Sequence, residues 1–131
     1  MRKGSDFLIY FSLLTFFSCS GIKNEGPQLF FEKSTVDFGL VNPGQTLEFV
    51  FDFFNKGTDT LKIRDIKASC GCVILSSAKQ KIPANGMDVI KGQIKVKDSM
   101  NIANNIQTIA IRTNESGDKI HLLKISYKVK M

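Results

Sequence analysis

The chain is poor in the residues that most chemistry needs. It has one histidine and three cysteines in 131 residues, and no tryptophan. With His121 alone, and no serine in a nucleophile-elbow motif, no recognisable hydrolase triad can be drawn. Carboxylates such as Asp52, Asp59 and Asp65 are scattered near turns, and no two are placed for acid–base work. Asp37-Phe38-Gly39 spells the magnesium-binding triplet of kinases. The glycine-rich and catalytic loops are missing, and the chain is too short for a kinase. A non-enzymatic protein with no catalytic residue, no metal site and no cofactor is the expectation. Nor does the region 19–131 hold a convincing i, i+3, i+4 apolar spacing, so no amphipathic helix is expected; 99–105 reads as a helical turn or a loop.

Long apolar runs are also lacking. Phe7–Phe17 is apolar except for Ser12 and Thr15, and its eleven residues fall short of the roughly 20 that cross a bilayer as a helix. Preceded by Met1-Arg2-Lys3 and followed by the small residues Ser18-Cys19-Ser20-Gly21, the run has the layout of a secretory signal peptide, with Asp6 as a blemish in its basic region. Its exit resembles the bacterial lipoprotein box, in which a small residue precedes the cysteine that receives diacylglycerol. Ser18 fills that place, although the bulky Phe17 before it departs from the pattern. The expected organisation is residues 1–18 as lipoprotein signal peptide, 19–27 as flexible tether and 28–131 as one folded domain. Diacylglycerol and palmitate-type chains on Cys19 would then hold the protein at a membrane of the bacterial cell envelope, at its periplasmic face or the cell surface. One acyl chain binds a protein marginally, whereas two or more anchor it stably. Ordinary cleavage after Ser20 is the rival and would release a soluble protein to the periplasm.

What is present is alternation. Leu47, Phe49, Phe51 and Phe53 occupy every second position of one run. Ile90, Gly92, Ile94 and Val96 alternate with Lys91, Gln93, Lys95 and Lys97, and Leu123, Ile125, Tyr127 and Val129 with Lys124, Ser126, Lys128 and Lys130. Period 2 marks half-buried strands. Strands are expected over 28–33, 36–41, 46–54, 61–66, 72–75, 87–97, 107–113 and 120–130. Asn42-Pro43-Gly44, Asn55-Lys56-Gly57, Asn85-Gly86 and Asn114-Glu115-Ser116-Gly117 punctuate them, since Asn and Gly tolerate the positive φ of tight turns. Seven or eight short strands with frequent turns make an antiparallel β-sandwich. Seven phenylalanines lie beyond residue 20 and are expected to fill the space between its sheets. The pairs Phe30-Phe31 and Phe53-Phe54 break the alternation, so one of each should face solvent, a bulge or a partner.

Without residues 1–18 the chain has sixteen basic and eleven acidic residues, a net charge of +5. An exported chain rarely meets nucleic acid, so no nucleic-acid partner is expected. Lys91, Lys95 and Lys97 with Lys124, Lys128 and Lys130 would form one basic stripe if their strands were neighbours, a solvated face or a surface for anionic headgroups or polysaccharide. Asp98-Ser99-Met100 resembles a bacterial O-glycosylation acceptor.

Cys70-Gly71-Cys72 is the one chemically pointed motif within the domain. In an extended strand Cα atoms two apart are about 6.6 Å distant, at the edge of disulfide reach, and Gly71 allows a kink that brings them closer. Bridging one intervening residue would close a small, strained and reducible ring. The pair is open to three readings: a structural pair, a redox pair, or two thiolates for a soft metal with His121 as a further ligand. Lys67 is near enough in sequence to lower a thiol pKa.

Phe38-Gly39, Val41, Gly44, the aromatic run Phe49–Phe53, Asn55-Lys56-Gly57, Leu61-Lys62-Ile63, Ser69-Cys70-Gly71-Cys72, Ile82-Pro83-Ala84-Asn85-Gly86 and Thr113-Asn114 follow one another in order. Together they resemble the secreted bacterial "domain of unknown function 1573" family over nearly all of 28–131. Val73 and Ala84-Asn85-Gly86 depart from its commoner Thr and Pro-Gly. The resemblance implies an Ig-like sandwich akin to hydin-type domains, and agrees with lipid attachment, since members are often predicted lipoproteins. It implies no activity. The expected function is a lipid-anchored envelope module that binds a protein or glycan, or alternatively a periplasmic thiol protein using Cys70 and Cys72.

Overall fold

The computed structural model describes residues 26–77, 79–97 and 104–130. The signal segment, Cys19, nearly all of the tether and Asp98-Ser99-Met100 lie outside the described residues. Those described contain nine strands and no helix: β1 (Leu29–Phe31), β2 (Thr35–Val41), β3 (Thr46–Asn55), β4 (Leu61–Ala68), β5 (Val73–Ser77), β6 (Lys81–Ile82), β7 (Met87–Lys95), β8 (Asn104–Thr113) and β9 (Ile120–Val129). They form a four-stranded sheet, β1-β3-β7-β5, and a five-stranded sheet, β2-β9-β8-β4-β6. The expected sandwich is the observed architecture, with one strand more than eight: β6 has two residues, too few to show a period.

The alternation read from sequence is the alternation of burial. Leu47, Phe49, Phe51 and Phe53 of β3 face inward, as do Ile90 and Ile94 of β7 and Leu123, Ile125, Tyr127 and Val129 of β9. Burying each phenylalanine contributes about 2–3 kcal/mol. The rings pair at 5.8 Å between centroids, Phe31 with Phe53 and Phe49 with Phe51. Gly92 lies directly across from Phe49 on the neighbouring strand. A Cβ there would collide with the Phe49 ring and sit 2.7 Å from the Ile74 carbonyl, so the absent side chain is what lets the ring lie down. The doubled aromatics divide as expected. Phe53 is buried and Phe31 packs on the core, while Phe30 and Phe54 are cross-strand partners on the outer face.

One pairing differs from an all-antiparallel sandwich. β2 runs parallel to β9, Thr35 beside Lys124 and Val41 beside Val129. Residues 32–34 carry the chain from the edge of one sheet to the edge of the other without reversing it, and the Lys124 amide donates to the Ser34 carbonyl at 2.8 Å. The registers also fix two ends. At one meet the start of β1, the β3–β4 turn, the β6–β7 turn and the β8–β9 turn. At the other are the β2–β3 turn and the link from β4 to β5.

Candidate functional site

Cys70-Gly71-Cys72 does not lie in a strand. It forms the turn by which the chain leaves β4 in one sheet for β5 in the other, and so cannot follow the pleat. Cα atoms of Cys70 and Cys72 are 5.2 Å apart and their sulfurs form a disulfide. The Cys72 amide donates to Cys70 Sγ at 3.1 Å, and the Val73 amide to the Cys70 carbonyl at 3.2 Å. Cys72 is buried, Cys70 half-buried and Gly71 exposed. Lys67 is not a neighbour of consequence: it stands on the outer face, paired with Asp65 at 3.3 Å. Nor is His121, the second residue of β9, at the opposite end. No group of three His, Cys, Asp or Glu able to hold a metal occurs among the described residues.

His121 instead belongs to a buried polar cluster. Its Nε2 lies 2.6 Å from Glu115 Oε2. The same oxygen accepts from the Thr113 hydroxyl at 2.6 Å, and Oε1 accepts from the Leu29 amide at 3.1 Å. Glu115 is 6% exposed and Thr113 fully buried. Burial pushes the Glu115 carboxyl up. The hydrogen bonds from Thr113, His121 and the Leu29 amide, with the electrostatic attraction of the His121 ring, outweigh it and hold the carboxyl below its ordinary 4.5. The trio of hydroxyl, imidazole and carboxylate superficially suggests a triad. Thr113, however, gives its proton to the carboxylate and not to the imidazole, and no substrate can reach it. The chemistry available is structural: one carboxylate ties β1 of one sheet to the β8–β9 hairpin of the other.

Asn55 works the same way beside it. Its side-chain oxygen accepts from the Gln28 and Gly57 amides at 3.1 and 3.0 Å, and its amide donates to the Asp59 and Ile82 carbonyls at 2.7 and 3.0 Å. Every donor and acceptor of that buried amide is used. Asn114 Oδ1 accepts from the Lys62 amide at 2.7 Å, and its Nδ2 donates to the Thr60 carbonyl at 3.2 Å. Asn55 and Asn114 were expected as positive-φ turn residues. Among described non-glycines only Asn85 and Asp118 adopt positive φ, and the two asparagines serve through their side chains. Glu115 had no sequence signal beyond its place after Thr113-Asn114.

The basic stripe does not exist. Lys91 and Lys95 stand on β7 of the four-stranded sheet and Lys124 and Lys128 on β9 of the five-stranded one, so their strands are not neighbours. The outer face of the larger sheet instead mixes lysine with exposed Leu40, Ile106, Ile120 and Leu122.

Residues 29–129 match the family model described as Protein of unknown function (DUF1573). The chain belongs to this family. Among solved structures, this DUF1573 sandwich is similar to a protein of unknown function from Porphyromonas gingivalis W83, with TM-score 0.66 and 11% identity over 83% of this chain and 50% of that one. It therefore spans about half the length of that protein. It is also similar to the ASH/PapD-like domain 7 of human CEP192, with TM-score 0.62 and 12% identity over 78% of this chain and 84% of that one. A third likeness is to the VesB protease of Vibrio cholerae, with TM-score 0.64 and 12% identity over 77% of this chain and 32% of that one. At these identities the likeness is one of fold, Ig-like and PapD-like. No curated protein matches the chain.

Proposed function

We propose that this DUF1573 protein is a non-enzymatic module of the bacterial cell envelope, anchored by lipid on Cys19 and presenting its sandwich to a protein or glycan. The observation that carries the reading is the order of parts: a basic start, an eleven-residue apolar run and a cysteine after a small residue, then a short tether and a closed domain. The domain's polar groups support it. His121, Glu115, Thr113 and Asn55 are committed to holding strands together, which leaves no buried nucleophile paired with a base among the described residues. A binding role is supported by exposed Leu40 and Ile106 on the outer face of β2 and β8, since apolar side chains left on a surface favour partners. The test is palmitate labelling with fractionation. Wild type is expected to incorporate label and sediment with membranes, and Cys19→Ser to lose both. Unlabelled, soluble wild type would refute the anchor.

A second reading rests on the disulfide, which lies in a surface turn with Gly71 exposed. A thiolate could attack the half-buried Cys70 sulfur more readily than the buried Cys72. Cys70→Ser with Cys72→Ser decides it: loss of a thiol-exchange activity from a folded double variant supports a redox role, and loss of stability alone refutes it.

A further inference from the structure

We infer that the sandwich end at which the tether joins is itself a membrane-contacting surface, specific for anionic lipid headgroups; the inference builds on the lipid-anchor reading above. Gly26 is pinned to the β3–β4 turn, its amide donating to Thr58 Oγ1 at 3.0 Å and its carbonyl accepting from the Thr58 amide at 2.9 Å. From Cys19 to Gly26 the chain can span about 25 Å at most. A lipid on Cys19 therefore keeps this end, and not the disulfide end, close to the bilayer.

The surface so placed has the composition that headgroups favour. Lys62 on β4 and Lys81 on β6 are direct cross-strand partners, and both are exposed. Like charges set opposite each other across a ladder repel, and an anion lying between them removes that cost. Arg64 stands beside them and Lys119 in the adjoining turn, both exposed. The opposing charges at this end are Asp59, Asp118, held by Arg64 at 3.4 Å, and Asp88, which accepts from the Lys79 amide at 2.8 Å, while the Glu115 carboxylate is buried beneath the surface. On the outer faces flanking the same end, Met87, Ile120 and Leu122 are each about 60% exposed. Cations beside protruding apolar side chains are what interfacial proteins press into an anionic leaflet.

The test separates this contact from the anchor. The chain from residue 19 onward, carrying Cys19→Ser, keeps the whole sandwich and has no site for the lipid. It is sedimented with vesicles of phosphatidylglycerol or of phosphatidylcholine at low and high salt. Binding is expected to phosphatidylglycerol only and to weaken with salt. Lys62→Gln with Lys81→Gln is expected to reduce it about 25-fold, on about fivefold per lysine near a charged surface. Lys128→Gln with Lys130→Gln, at the opposite end, should leave it unchanged. Absence of phosphatidylglycerol binding, or an equal loss in both double variants, overturns the inference. Acylated Cys19 in the wild type together with no vesicle binding by the unlipidated chain would sink this surface and leave the anchor standing.

Discussion

Glu115 shows how one side chain can hold two sheets together. Its carboxylate is acceptor-only and has three donors from three segments: the Leu29 amide, the Thr113 hydroxyl and His121. Hydrogen bonds to a charged group are each worth roughly 1.5–3 kcal/mol. Because the folded-state pKa is depressed, its contribution is fully present above the unfolded carboxyl's value and is lost as pH falls through the folded one. Glu115→Gln is expected to cost about 2 kcal/mol at neutral pH and to flatten the loss of stability on acidification below about pH 4.5. Urea titrations of both proteins across that window check this. A slope identical to wild type would contradict the ionised, hydrogen-bonded carboxylate. Residues of this kind were the least legible in the sequence. Leu29 lies 86 positions from Glu115, and no local pattern brings them together. Asn55 and Asn114 are visible in the sequence as turn residues, but it is their side-chain amides, not their φ-tolerance, that the fold uses.

Among the elements, strands with a strict period were read with nearly their true bounds, because alternation and burial are the same fact seen twice. Val36–Val41 and Thr46–Phe54 became β2 and β3 with one residue added to each. The failures were elements whose existence depends on contacts. β6 is two residues held against Leu61 and Lys62, and the parallel course of β2 follows from where β1 ends. β1 is itself a weak element, three residues secured by Glu115 and by the close approach of residues 26–28 to Gly57. A Cβ on Gly57 would collide with the Gly26 carbonyl and sit 2.6 Å from the Gln28 amide. Both are backbone atoms with little room to move. Gly57→Ala is therefore expected to cost about 2–3 kcal/mol and to speed hydrogen exchange at Leu29 and Phe31 of β1 before the central strands. Unchanged exchange there would contradict the packing. The crossover disulfide should matter less. It spans two positions, and so short a loop loses little chain entropy when closed, about 1–1.5 kcal/mol. Thermal unfolding of Cys70→Ala with Cys72→Ala measures it. A cost above about 3 kcal/mol would mean that the turn depends on the bridge for its native shape.

The whole molecule divides into a core, which the sequence announced, and two ends, which it did not. The period-2 pattern and the phenylalanines of β3 were enough to foresee two sheets around an aromatic interior. Which turns share an end required the registers. Once those are known, Asn55-Lys56-Gly57, Asn85-Gly86 and Thr113-Asn114 meet where the tether joins, and Cys70-Gly71-Cys72 stands at the other extreme. That polarity is the one the proposed anchor requires: the N-terminal end toward a surface and the far end outward. The claim rests on one atom, the sulfur of Cys19, and the mass of the mature protein's N-terminus tests it most directly. A first residue Cys19 carrying diacylglycerol and an N-acyl chain is the predicted result; an unmodified chain beginning at Gly21, or one that keeps Met1, would contradict it.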